Sequence, residues 1–198
     1  MNLYLIPNDP EQTTLVSANG VAQYRVLTSK AGALRSPAVT RITRPADSAA
    51  NAGVAEVEWR RWGAHPVVRT HVFDGEAQTL EVRELLYKLG STFSTARYFL
   101  GNDNEEYRWK YAKGSGYVLS LRSTGEEVAR HTAELVKEGY FKGERQWVLK
   151  IRPGCDLDID IIVLTFVILE KRRRDKLAKQ SSEEHGEEPC EGGIEMSS

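Results

Sequence analysis

The chain has 198 residues, 40% of them hydrophobic, and a formal net charge of −1. The charge is uneven: residues 178–198 hold six glutamates against one lysine, a net −5, which leaves +4 on residues 1–177. A mildly basic body with an acidic tail lacks the concentrated basic face of a nucleic-acid binder, so no nucleic-acid partner is expected.

Asn2–Ile6 is a short apolar strand ended by the turn cluster Pro7-Asn8-Asp9-Pro10. Thr13–Ser17 and Ala22–Thr28 flank Asn19-Gly20, a strong hairpin signal in which both central residues favour positive φ. Ala38–Thr43 is the next strand, and Arg44–Gly53 carries only turn and small residues, so it reads as a loop. Val54–Trp62 alternates over nine residues, with Val57, Trp59 and Arg61 on one face. Val67–Phe73 returns as a strand to the turn Asp74-Gly75, and Gln78–Val82 follows. Arg83–Leu89 reads as a short helix stopped by Gly90. Ala96–Leu100 and Glu106–Tyr111 form a hairpin, with Tyr107, Trp109 and Tyr111 on the opposite face to Arg108 and Lys110. Tyr117–Arg122, Val128–Leu135 and Gln146–Arg152 complete about twelve strands at short regular spacing, the pattern of a sandwich or barrel.

The stretch Asp156–Lys176 differs from all of these. It opens with Asp156, Asp158 and Asp160, runs through an apolar block from Ile161 to Leu169 broken only by Thr165, and closes with Lys171, Arg172, Arg173 and Arg174. Acids first and bases last suit the dipole of a helix over about 156–176. A helix apolar all round is buried all round. Leu157 to Leu169 would span roughly 20 Å as a helix, short of the ~30 Å bilayer core, and it contains two aspartates, so no transmembrane span is expected. The block also alternates like a strand, and its length with the basic end decides for helix. A barrel of eleven or twelve strands leaves a lumen wide enough for one helix, about 10–12 Å across. The expected fold is therefore mainly β: a closed antiparallel barrel of about 12 strands enclosing a hydrophobic C-terminal helix. One domain covers 1–177, and 178–198 forms a disordered acidic tail.

Three stretches in order, NLYLIPNDPEQTTLVSANGVAQYRV, RYFLGNDNEEYRWKY and DIIVLTFVILEKRRR, resemble a fungal family of unknown function in the tubby-like superfamily, beside the lipid scramblases and LURP-one-related proteins. The resemblance spans roughly Asn2 to Arg174 and rests on the order of the three stretches. It implies a twelve-stranded barrel around a hydrophobic C-terminal helix. Asn102-Asp103-Asn104 stands where such sequences often carry an Asp-Gly turn. The wider superfamily implies binding of phosphoinositides or membrane surfaces, and it transfers no contact residue to this chain.

Chemistry-bearing patterns are sparse. His65, His71, His131 and His185 form no pair at metal spacing, and neither a GxSxG elbow nor a GxxxxGK[ST] phosphate loop occurs. Asp156, Asp158 and Asp160 match the first positions of a calcium loop but lack its later Gly and Glu, so helix capping is the reading taken. Cys155 and Cys190 suggest neither a disulfide scaffold nor a zinc site. The opening MNLYLIPNDP does not resemble a signal peptide. A cytoplasmic chain without cofactor or catalytic centre is expected, peripheral to a membrane if it binds one. The anionic-lipid contacts expected are Lys171, Arg172, Arg173 and Arg174 with the outward-facing pairs Arg108 and Lys110, and Lys150 and Arg152, each charge worth about 1 kcal/mol near an anionic leaflet. Tyr107, Trp109, Tyr111 and Trp147 are expected in the core. The expected function is a non-catalytic module for anionic lipid, phosphoinositide included, or a membrane surface. The alternative is a soluble protein-interaction or regulatory barrel with the acidic tail as its handle.

Overall fold

A computed structural model describes residues 1–30, 36–46, 52–60, 64–73, 75–90 and 94–184. Twelve strands are present among them: β1 (Asn2–Ile6), β2 (Gln12–Val16), β3 (Ala22–Ser29), β4 (Ala38–Thr43), β5 (Gly53–Trp59), β6 (Val67–Thr70), β7 (Gln78–Glu81), β8 (Arg97–Leu100), β9 (Glu106–Ala112), β10 (Gly116–Leu121), β11 (Glu127–Leu135) and β12 (Arg145–Ile151). A four-residue helix α1 (Val82–Leu85) follows β7, and the long helix α2 (Ile159–Glu184) closes the order. The expected end of the fifth strand at Arg61 and Trp62, the centre of the loop at 47–51, the turn residue Asp74 and the tail beyond 184 lie outside the described residues.

All twelve strands join one antiparallel sheet in the order β7-β6-β5-β4-β3-β2-β1-β12-β11-β10-β9-β8. Each half is a meander, and the first and last strands join them, Tyr4 facing Val148. Among the described residues the expected hydrogen-bonded closure is not found. β7 and β8 are the two edges, and among the described residues the chain between them makes α1 and one bridge, Tyr87 to Tyr98. The sheet nevertheless wraps the helix. Tyr24 of β3, Trp59 of β5, Trp109 of β9, Tyr117 of β10 and His131 of β11 all touch α2.

The apolar block is the core. Every residue from Ile161 to Lys171 is buried, and Ile161 to Leu164 are fully so. Burial of each such apolar side chain contributes about 1.5–3 kcal/mol. Strand alternation supplies the facing layer: Leu3, Leu15, Val26, Ile42, Val57, Val68, Phe99, Leu119 and Leu149 are buried in the same cluster. A smaller cluster of Tyr4, Val16, Val136, Phe141 and Val148 packs separately from the helix.

Three local expectations change. In the first hairpin only Gly20 takes positive φ, at 86°, while Asn19 does not, and a register shift follows Leu15. The turn is therefore not the two-residue type whose central residues are both left-handed. In the β8–β9 turn Asn104 takes φ 62°, which asparagine tolerates, so it does the work of the glycine missing there. Most importantly, α2 starts at Ile159 rather than 156 and runs to Glu184 rather than 176, so Ala178–Glu184 are helical and not a disordered tail.

Candidate functional site

The start of α2 is fixed by polar groups. Asp158 Oδ1 accepts from the Asp160 N–H at 2.8 Å, an N-cap bond, and Asn102 Oδ1 holds the Asp158 N–H at 3.0 Å. Asp160 is 5% exposed and accepts from Tyr24 OH at 2.6 Å and Arg44 Nη1 at 2.7 Å. Burial, with the Asp160 hydrogen bond, pushes the Tyr24 phenol well above its usual range. These contacts support capping as the role of this acidic run.

The other end is basic, and its position in the helix corrects one expectation. Because α2 continues to Glu184, Lys171–Arg174 lie inside the helix and not in its last turn. Their charge is answered by carboxylates rather than by the helix terminus. Glu170, 1% exposed, receives Arg173 Nη2 at 2.7 Å and Arg174 Nε at 2.8 Å. Burial pushes the Glu170 carboxyl up, but the two arginines outweigh it and hold it below the usual range. Arg174 also spans to Asn8, its Nη1 on the carbonyl at 2.7 Å. Lys171 is 6% exposed, pairs with Glu11 and Asp175, and sits over the Trp59 ring at 5.0 Å. Arg173 stacks on Tyr111 at 5.1 Å.

Arg172 differs from its neighbours. It is half-buried, and among the described residues it has no hydrogen-bond or ion-pair partner. Burial lowers its pKa, and the nearby charge of Arg97 lowers it further. Arg97 stands opposite Trp109 in the ladder, so it shares that residue's inward face. Its own bond runs only to the neighbouring Ala96 carbonyl, at 2.9 Å, and burial lowers its pKa too.

Arg97 and Arg172 line one cavity of about 710 Å³ where the helix leaves the sheet beside edge strand β8. Lys88, Arg173 and Lys176 also line it, and no described acidic side chain does. Tyr111, Tyr117, Leu169 and Leu177 supply an apolar wall. Around the helix exit Tyr111 and Trp147 are each 36% exposed, although both were expected in the core beside Tyr107 and Trp109, which are buried. Trp147 stacks on His131 at 4.8 Å, and His131 meets Phe166 of the helix at 4.6 Å.

Of the residues expected to meet lipid, Arg172 and Arg173 come together in this cavity. Lys171 and Arg174 lie next to it in sequence with their charges matched. The strand residues are elsewhere. Lys150 pairs with Glu134, and Arg152, just past the end of β12, pairs with Glu126. Lys110 is exposed, while Arg108 is half-buried with Nη2 reaching Ser120 Oγ at 3.4 Å. Sequence reasoning missed Arg97, Lys88 and Lys176. The available signal for Arg97 was its two-residue spacing from Phe99, which places an arginine on an apolar face.

A family model described as a family of unknown function, DUF6593, matches residues 8–175. The chain belongs to the DUF6593 family. The match takes in Arg97, Arg172 and Arg173 and stops short of Lys176 and Leu177. The DUF6593 match carries no superfamily and no organism with it, so the tubby-like and fungal likeness rests on this chain's residues alone. No curated protein and no solved structure matches this DUF6593 chain. None of its described helices is long and apolar enough to cross a membrane.

Proposed function

We propose that the chain is a non-catalytic binding module that engages anionic lipid, phosphoinositides included, at a membrane surface. The observation that carries this reading is the cavity at the helix exit. It gathers Lys88, Arg97, Arg172, Arg173 and Lys176 with no described acidic side chain. Two of these, Arg97 and Arg172, are half-buried and have no carboxylate partner among the described residues, which favours an external anion. The half-exposed rings of Tyr111 and Trp147 and the exposed Leu177 around the same exit suit the interfacial zone of a bilayer. A cytoplasmic, peripheral-membrane location accompanies this reading, because the cytoplasmic leaflet is the anionic one.

The tubby-like likeness adds a finer proposal about shape. In it the sheet is a closed barrel whose β7–β8 seam is covered by α1. It also adds headgroup binding, by analogy of fold only.

Flotation of the full chain with phosphatidylcholine vesicles, with and without phosphoinositide, tests the reading. Selective flotation with the anionic vesicles is the expected result. Equal and negligible flotation with both overturns it. That outcome would favour a soluble protein-interaction or regulatory role, for which the specific observation is the exposure of Leu135 at 62% and Tyr140 at 75%.

A further inference from the structure

Resting on the anionic-lipid reading, we propose that Arg97 and Arg172 form a two-point clamp for a phosphate monoester on a lipid, whose chain lies along Tyr111, Leu169 and Leu177. The two guanidiniums that line the cavity come from different elements: one from the inward face of edge strand β8, one from the helix. Neither has a carboxylate among the described residues. Their neighbours show what satisfied cations look like in this protein, with Arg173 and Arg174 forked on Glu170 and Lys171 held by Glu11 and Asp175. Arg97 and Arg172 lack such partners although both are half-buried.

The chemistry selects the ligand. Two like charges brought together out of water repel, and a dianion between them turns that repulsion into two charge-assisted hydrogen-bonded contacts. A phosphate monoester offers about −1.5 to −2 charge and three acceptor oxygens, enough to meet two forks at once. A phosphodiester such as that of phosphatidylserine offers one charge and two free oxygens. The apolar wall adds a requirement that inorganic phosphate cannot meet. A headgroup phosphate enters with acyl chain attached, and Leu169 with Tyr111 and Leu177 can cover part of that chain.

The test measures binding of the full chain to phosphatidylcholine vesicles containing phosphatidic acid, against vesicles charge-matched with phosphatidylserine. Inorganic phosphate and glycerol phosphate serve as soluble competitors. The monoester vesicles should bind at least about tenfold tighter, and the soluble phosphates should compete only weakly. Arg97→Gln and Arg172→Gln should each remove the preference, while the outer-surface controls Lys110→Gln and Lys150→Gln should keep it. Near-ultraviolet circular dichroism establishes that each variant is folded, and Arg172→Gln carries the test if Arg97→Gln does not fold. Equal affinity for both anionic vesicles overturns the clamp and leaves the anionic-surface reading standing. Losses as large in the control variants as in the clamp variants do the same. Full displacement from the phosphatidic acid vesicles by inorganic phosphate at a concentration equal to that of the vesicle phosphatidic acid overturns the lipid assignment. Binding to neither vesicle overturns the anionic-lipid reading and the clamp with it.

Discussion

Trp109 Nε1 donates a 3.0 Å hydrogen bond to Thr165 Oγ1, across the whole gap between strand β9 and the apolar block of the helix. Thr165 is the one polar residue in the apolar block, and it is fully buried. Its hydroxyl donates back to the Ile161 carbonyl at 2.8 Å, so it can accept the indole proton without leaving any group unpaired. Thr165→Val keeps the shape but strands the indole N–H of a residue 1% exposed. The expected cost is about 1–3 kcal/mol. Urea unfolding followed by tryptophan fluorescence measures it, and unchanged stability would show that the bond contributes nothing.

Gly116 opens β10 at φ 77°, and a Cβ there would stand 2.0 Å from the His131 carbonyl oxygen. That contact is with backbone of a paired strand, which cannot move aside alone. Gly116→Ala should therefore destabilise by more than the ~1 kcal/mol typical of a residue forced to left-handed φ, because the β10–β11 ladder must shift as well. A melting temperature equal to that of the parent would contradict the close approach.

His131 makes stability depend on pH. Burial pushes its imidazole down to about 4, with Glu170 opposing and Arg173 and Arg174 assisting, and its Nε2 has no described partner. The folded state resists the proton that the unfolded chain accepts near pH 6.5. Stability from this group is thus complete above that pH, falls as pH drops from 6.5 to about 4, and levels off below. The full loss is about 3 kcal/mol at most. Between pH 6.5 and about 5.5, above the range where carboxylates take up protons, unfolding free energies should slope downward toward acid in the parent chain and slope less in His131→Leu.

Glu170 should matter more than any exposed ion pair. Replacing it by glutamine leaves Arg173 and Arg174, both largely covered, without their shared carboxylate. A loss of roughly 2–4 kcal/mol is expected, against under ~1 kcal/mol for Glu56→Gln, whose pair with Arg41 is exposed. Since the Glu170 carboxyl is held below its usual 4.5, its contribution is present above that pH and disappears as acid protonates the folded form. Denaturation curves of the two variants at neutral pH make the comparison.

Strand positions were readable because alternation is local. β1 and β4 have the boundaries read from the residues, and most others differ by one or two. Val67–Phe73 was read too long because Val72 and Phe73 are apolar, yet β6 ends at Thr70, whose hydroxyl caps the Val72 N–H at 3.4 Å. The helix was read too short for a different reason. Composition beyond Lys176 signals disorder, but a helix already nucleated in the core extends cheaply through Ala178, Lys179 and Gln180. Ser181 and Ser182 follow it by bonding the carbonyls four residues back. The basic run was visible at once, whereas its pairing was not. Glu11 and Asn8 lie more than 150 residues from the charges they meet. Closure of the sheet, likewise, depends on what β7 and β8 do at a distance, which no periodicity reports.

The last of the described elements is the one that fills the centre. While a ribosome is still delivering it, the earlier strands have an oily inner surface and nothing to place against it, and β1 must wait for β12 before its second neighbour exists. Acquisition of structure should therefore be late and all at once, with a nascent chain halted before Ile161 dependent on chaperones and prone to aggregate.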